Sequence, residues 1–215
     1  KALLQSSSFN TGSAGSFECC DDVYIRIRRA NVLMDEISRY GEPSFGKEWC
    51  DIRRAEVRFC RAFAYFRLIR MDGGIVLRTE PYGFHKVDDG SYESDVNRAR
   101  LSEEDSWAFV IQELKEAAEK LPESWPGWEG RATKQAAYGL LSRVALYAHD
   151  WQTVVDAANK VKELGAELDS DYASLFRVEG EGGTLNSKEI LFALYYQKGS
   201  VVHYYDRNNR PIGDQ

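Results

Sequence analysis

The sequence predicts a mainly α-helical fold, a scaffold of paired helices with irregular loops and short strands. Three observations predict it. Apolar residues recur every three or four positions over several long stretches. Glycine, proline and capping residues stand at the ends of those stretches. Two of the helical stretches also share a span of about 34 residues, the length of a helix–turn–helix repeat unit. The 215 residues are 43% hydrophobic and 29% charged, an ordinary globular composition and enough chain for one sizeable core. Residues 1–215 are therefore read as a single domain.

Taken in order, residues 1 to 20 carry Ser, Gly, Thr and Asn with little periodicity and read as loop. From Asp21 a helix runs to about Tyr40, with Val23, Ile27, Ala30 and Ile37 on one face and Asp21 or Asp22 as N-cap. The central element begins at Glu48. Ile52, Ala55, Phe59, Phe63, Phe66 and Ile69 form its stripe, and Ala62, Tyr65 and Leu68 widen it, so this helix should be gripped from two sides. Arg53, Arg54, Arg58, Arg61, Arg67 and Arg70 fill much of the remainder and are expected to pair with Asp51, Glu56 and acids of neighbouring helices. Cys60 reads as a small buried thiol. Gly73 and Gly74 end the helix, and Ile75–Leu77 reads as a brief strand.

Residues 79 to 100 lose periodicity and read as a long surface loop holding Tyr82, Phe84, His85 and Tyr92; loops of this length are often functional. Ser102 should cap the next helix, with Asp105 three residues on. Trp107, Val110, Leu114, Ala117 and Leu121 mark its buried face, whereas Glu103, Glu104, Glu113, Glu116 and Glu119 look solvated. Trp125-Pro126-Gly127-Trp128 is a turn. Helices from Thr133 to about Ala148 and from Trp151 to Leu164 then form a tetratricopeptide-like pair, with Trp151 expected to pack inward and His149 to cap. Asn186 to Tyr196 is apolar, bounded by polar residues, and reads as a strand.

Several function classes are disfavoured. A net charge of −6 argues against nucleic acid, which requires a basic surface. Cysteines 19, 20, 50 and 60 form no C-x-x-C pair, and no histidine completes a zinc site. Glycoside chemistry needs two carboxylates at a fixed separation, and nothing in the spacing selects such a pair. There is no Gly-x-Ser-x-Gly elbow and no phosphate loop. No catalytic residue, metal or cofactor is therefore expected.

The run Glu56-Val57-Arg58-Phe59-Cys60-Arg61-Ala62-Phe63-Ala64-Tyr65-Phe66-Arg67-Leu68-Ile69-Arg70, with Gly73 and Gly74 after it, strongly resembles the signature of the SusD/RagB family of surface glycan-binding lipoproteins of Bacteroidetes. Ile27 to Leu33, Arg100 to Pro122, Gly130 to Lys134 with Arg143 to Trp151, and Asn186 to Tyr196 are similar to further family segments. The resemblance spans roughly residues 23 to 196. Family members are longer, which implies an incomplete portion of a longer protein.

The resemblance implies a SusD-like fold with tetratricopeptide-like repeats and non-catalytic capture of a glycan at the outer-membrane surface. It also implies a TonB-dependent transporter of the SusC type as partner, and a lipid anchor whose cysteine lies outside this sequence. Asn31 is expected to be a structural hydrogen-bonding group. Exposed aromatics stack on sugar rings, so Tyr82 and Tyr92 in the long loop, Trp125 and Trp128 in the turn, and His203, Tyr204 and Tyr205 in the tail are the candidate carbohydrate contacts, chosen by position. The alternative from a different class is a tetratricopeptide-like scaffold that binds a peptide or protein segment.

Overall fold

A computed structural model describes residues 20–95, 98–128, 130–177 and 187–194. Helix α1 (Cys20–Glu36) passes through a π-helical stretch, Ile37–Gly41, into the short α2 (Glu42–Phe45), and α3 (Lys47–Asp72) follows. A small antiparallel hairpin comes next, β1 (Phe84–Lys86) and β2 (Tyr92–Ser94), with His85 opposite Glu93. It leads to α4 (Glu103–Lys120), α5 (Lys134–Tyr147), α6 (Trp151–Glu163) and a 3-10 turn at Tyr172–Phe176. The helices pack in series: α1 and α4 flank α3, α5 lies on α4, and α6 lies on α5. The mainly α-helical prediction and the two-sided grip on the central helix both hold.

Local chemistry explains the boundaries. The Ser102, Thr133 and Asp150 side chains accept hydrogen bonds from the backbone N–H groups of Asp105, Ala136 and Thr153, so each begins a helix as an N-cap. His149 is not the cap. It takes a left-handed backbone conformation (φ 61°) between α5 and α6, and its ring lies 5.4 Å from that of Trp151. Gly73 closes α3 with φ 72°, a conformation that favours glycine. A side chain on Gly74 would collide with the Leu101 carbonyl, because the chain after α3 runs against the entry to α4.

The core joins Val23 and Ile27 of α1, Phe59, Ala62, Tyr65, Phe66 and Ile69 of α3, and Val110, Leu114 and Ala117 of α4. Each large side chain buried there contributes about 1.5–3 kcal/mol. Phe63, placed in the stripe by its spacing, is instead 40% exposed. At about 100° per residue it falls on the arc with Cys60, Arg67 and Arg70, which neither α1 nor α4 covers. Cys60 is exposed as well, lining an open cavity between α1 and α3, and Cys50 is the buried thiol. Trp107 is buried as expected, but Trp151 is 60% exposed at the first turn of α6.

A buried polar network crosses the core. The Arg61 guanidinium donates to Glu113 at 2.7 Å and to the Asn31 side-chain oxygen at 2.8 Å. Arg58 donates to Glu113 as well and pairs with Glu116 at 2.7 Å. Glu113, read as solvated, is thus buried, because it neutralises the one α3 arginine that points into the core. Toward the surface the other expected pairs form: Arg53 with Glu56, and Arg54 with Asp51.

Ile75–Leu77 is not a strand. Its backbone is held by side chains and a loop: Leu101 N–H donates to the Ile75 carbonyl at 2.8 Å, Ile75 N–H donates to Ser106 Oγ at 3.2 Å, and Tyr24 donates to the Val76 carbonyl at 2.9 Å. With these groups satisfied, no ladder is needed. The long loop is better ordered than expected, since it contains the hairpin. Residues 187–194 form no ladder among the described residues; they lie on α5, where Leu191 covers Gly139 and a Cβ there would stand 2.5 Å from Leu191 Cδ1. Phe192 meets Phe59 edge-on at 5.1 Å.

The tetratricopeptide-like pair is formed by α5 and α6. Its interior is small and apolar: Ala136, Ala137, Leu141, Val144 and Ala145 from α5, with Ala157 and Val161 from α6. Ser142 Oγ donates to the Val154 carbonyl at 3.2 Å, linking the two helices directly.

Candidate functional site

A cleft of about 690 Å³ opens between α1, the segment after α3 and the base of the hairpin. Tyr24, Arg28 and Asn31 of α1 form one wall; their spacing of four and three puts them on one helix face. Arg78, Glu80 and Tyr82 form the other wall, and Asp95 contributes from the end of the hairpin.

The walls are anchored from beneath. Asn31 Nδ2 donates to the carbonyls of Arg78 at 2.9 Å and Glu80 at 3.3 Å. The Tyr65 hydroxyl donates to the Arg78 carbonyl at 2.7 Å and accepts from the Arg78 N–H at 2.8 Å. Burial pushes the Tyr65 phenol well above its ordinary range, so it stays a donor. The network at Arg61 and Glu113 therefore runs through Asn31 to the cleft floor. Asn31 has the structural role expected of it.

Inside, the Arg78 guanidinium lies 4.8 Å from the Tyr24 ring centre; His85, outside the lining, holds Asp95 with Nδ1 3.0 Å from Asp95 Oδ1. Two buried polar atoms of lining residues, Asp95 Oδ2 and Arg78 Nε, have no hydrogen-bond partner among the described residues, and behind the lining Arg98 Nη1 pairs with Asp95 Oδ1 at 3.6 Å. Each such unsatisfied group costs about 1–3 kcal/mol, and both belong to side chains of the cleft wall. Among the described residues no group of acids, histidines and cysteines could hold a metal ion.

Of the sequence-predicted contacts, Tyr82 stands at the cleft mouth, 58% exposed, with its hydroxyl 3.4 Å from Asp35. Tyr92 is 67% exposed on β2, outside the cleft lining. Trp125 lies elsewhere and is a packing group. Its Nε1 donates to the Ala132 carbonyl at 2.7 Å, and the Arg131 guanidinium stacks 3.8 Å from its ring centre. Trp128 is exposed at the same turn. The structure does not bring the tryptophans and Tyr82 together. His203, Tyr204 and Tyr205 lie outside the described residues, as does Cys19.

Sequence reasoning missed Tyr24, Arg28, Arg78 and Asp95. The first two carried a signal, since with Asn31 they form a polar and aromatic stripe at positions 24, 28 and 31. Arg78 and Asp95 sit in aperiodic segments that offered none.

Fold and cleft together define a class of protein: a helical-hairpin scaffold presenting a polar, aromatic-edged cleft beside its first helix. The chain matches the SusD-like family model described as "Starch-binding associating with outer membrane" over residues 16–146, and it belongs to that family. It is 25% identical over 182 residues to SusD-like protein P25 of Formosa agariphila, covering 82% of this chain and 31% of that protein. A SusD-like protein of Bacteroides fragilis superposes with a TM-score of 0.69 at 29% identity, covering 83% of this chain and 33% of that one. A laminarin-binding SusD-like protein superposes with a TM-score of 0.65 at 25% identity, covering 80% of this chain and 36% of that one. The chain thus spans about a third of the length of these relatives. No helix among the described residues is long and apolar enough to cross a membrane.

Proposed function

We propose that this chain forms part of a non-catalytic carbohydrate-binding protein of the outer-membrane surface, and that the cleft between Tyr24 and Tyr82 receives the sugar. The observation that carries this reading is the pairing of an exposed aromatic edge, Tyr82, with the polar side chains of Arg28, Arg78 and Asp95 in one cleft of about 690 Å³. Pyranoses offer both an apolar ring face for Tyr82 and hydroxyls for Arg78, Asp95 and Arg28. A family described as starch-binding and a similar protein that binds laminarin make neutral glucans the first probes.

In this reading the glycan is held without turnover and passed to a TonB-dependent SusC-type transporter, while a lipid anchor outside this sequence tethers the protein at the cell surface. Peptide capture in the helix-pair groove has less support, because α5 and α6 fill their shared interior with their own side chains. A glycan array run beside a peptide array tests the proposal. Binding of an oligosaccharide with no release of reducing ends supports it; selective peptide binding, or hydrolysis, overturns it. Co-purification with a large outer-membrane barrel from the native membrane is expected, and isolation as a lone protein under mild detergent contradicts the transporter step.

A further inference from the structure

The opposite flank of α1 borders a second cavity, of about 480 Å³, between α1 and α3. Leu33, Ile37 and Val57 make its floor apolar, and Trp49 forms a wall, stacked on Phe45 at 4.3 Å. Its rim is cationic. Arg26 and Arg29 project from α1, Arg53 from α3, and Arg131 from the loop before α5. Against these four guanidinium groups the lining supplies, among the described residues, one carboxylate, Glu56.

That imbalance is local, since the whole chain carries a net charge of −6. Arg53 and Arg131 are already engaged. Both pair with Glu56, Arg131 Nε at 2.8 Å, and the Arg53 guanidinium lies 5.2 Å from the Trp49 ring centre and equally far from that of Trp125. Arg26 and Arg29, by contrast, have no ion-pair or hydrogen-bond partner among the described residues. Two free guanidinium groups one turn apart, above an apolar floor and beside an indole face, suit an anion carried on a ring with an apolar side.

We propose that this groove is a second subsite, selective for an acidic saccharide residue. Its carboxylate or sulfate engages Arg26 and Arg29, and its ring lies against Trp49 and Leu33. The proposal rests on the carbohydrate-binding reading of the chain but not on the cleft at Tyr82. A chain with both sites holds a neutral and a charged unit on opposite flanks of α1.

The test is calorimetric titration of the full chain with trigalacturonate, its neutral methyl ester, a sulfated disaccharide, inorganic sulfate and triglutamate. The expected result is binding of trigalacturonate or the sulfated disaccharide that weakens by about tenfold in R26Q/R29Q. It should weaken as well between about 0.05 M and about 0.5 M salt, with no comparable change for the methyl ester. Both arginines are exposed, so the variant keeps the fold. Y82A should leave this binding unchanged, which separates failure of this proposal from failure of the cleft. Undiminished binding in R26Q/R29Q, no binding by either acidic sugar, or equal binding of sulfate or triglutamate would overturn the assignment.

Discussion

The interface of α1, α3 and α4 buries charge, whereas the interface of α5 and α6 buries small apolar side chains. In the first, Asn31, Arg61 and Glu113 are 2%, 6% and 3% exposed and bonded in one chain. In the second, alanines and short aliphatics fill the space. The difference teaches where the molecule holds its geometry most tightly. A buried ion pair adds little net stability over an apolar replacement, but it tolerates few arrangements. Here that rigid network ends at the carbonyls of Arg78 and Glu80, which form the cleft wall. The helix pair is a scaffold; the wired helices position the cleft.

The sharpest way to break this comparison is E113A. It leaves the Arg61 guanidinium buried without its counter-charge, and the expected cost is about 3–5 kcal/mol, measured by urea denaturation. The double variant R61M/E113L should recover much of that stability yet loosen the segment 75–80, seen as faster amide exchange there. Equal exchange in both proteins would deny the network a positioning role.

In the apolar half, L141A should cost roughly 2–5 kcal/mol through the cavity it leaves. It should leave exchange at 75–80 unchanged, since no polar link reaches across. Coupled loosening of that segment would erase the distinction between the two halves.

Tyr65 links the core to the cleft wall, and Y65F should cost about 1–2 kcal/mol at neutral pH. The pH dependence has a definite sign. Burial raises the phenol in the folded chain, while the unfolded chain releases that proton near pH 10 (about the model-peptide value). Above about pH 10 the unfolded state therefore holds fewer protons, and stability falls as pH rises. Y65F should show a shallower fall than wild type between about pH 9.5 and 11. Identical slopes would mean that Tyr65 is not the buried phenol described.

The smallest effect concerns Phe63. Because it is 40% exposed, F63A should cost under about 1 kcal/mol, far below the cost of truncating a core aromatic. A loss above about 3 kcal/mol would place Phe63 back in the core.

Phe63 also shows what the sequence could and could not convey. Helix existence was legible because periodicity and caps are local: Ser102 announces its helix within three residues, although at α6 the cap is Asp150 and not the neighbouring His149. Which arc of a helix is covered depends on neighbours far along the chain, so Phe63, Cys60 and Trp151 were placed inward by pattern alone. Glu113 looked solvated because its partner lies 52 residues away. Ile75–Leu77 has the composition of a strand, yet Tyr24, Ser106 and Leu101 already satisfy its backbone. At the candidate site Tyr82 stood out as an aromatic in an aperiodic loop. Asp95 and Arg78 gain their meaning from being brought to one cleft, which no spacing encodes. Trp125 was a candidate contact by its place in a Pro-Gly turn, and Arg131 and the Ala132 carbonyl hold it down.

The central claim is that the wired half presents a sugar-binding cleft edged by Tyr82. Its most direct test is calorimetric titration of wild type and Y82A with the tightest oligosaccharide from the glycan array. Among the described residues Tyr82 makes one long hydrogen bond, at 3.4 Å, so the variant should fold with unchanged stability. The account predicts saturable binding by wild type, weakened by about tenfold in Y82A through loss of ring stacking. Equal affinity in the two proteins, or no oligosaccharide bound by wild type, would contradict it.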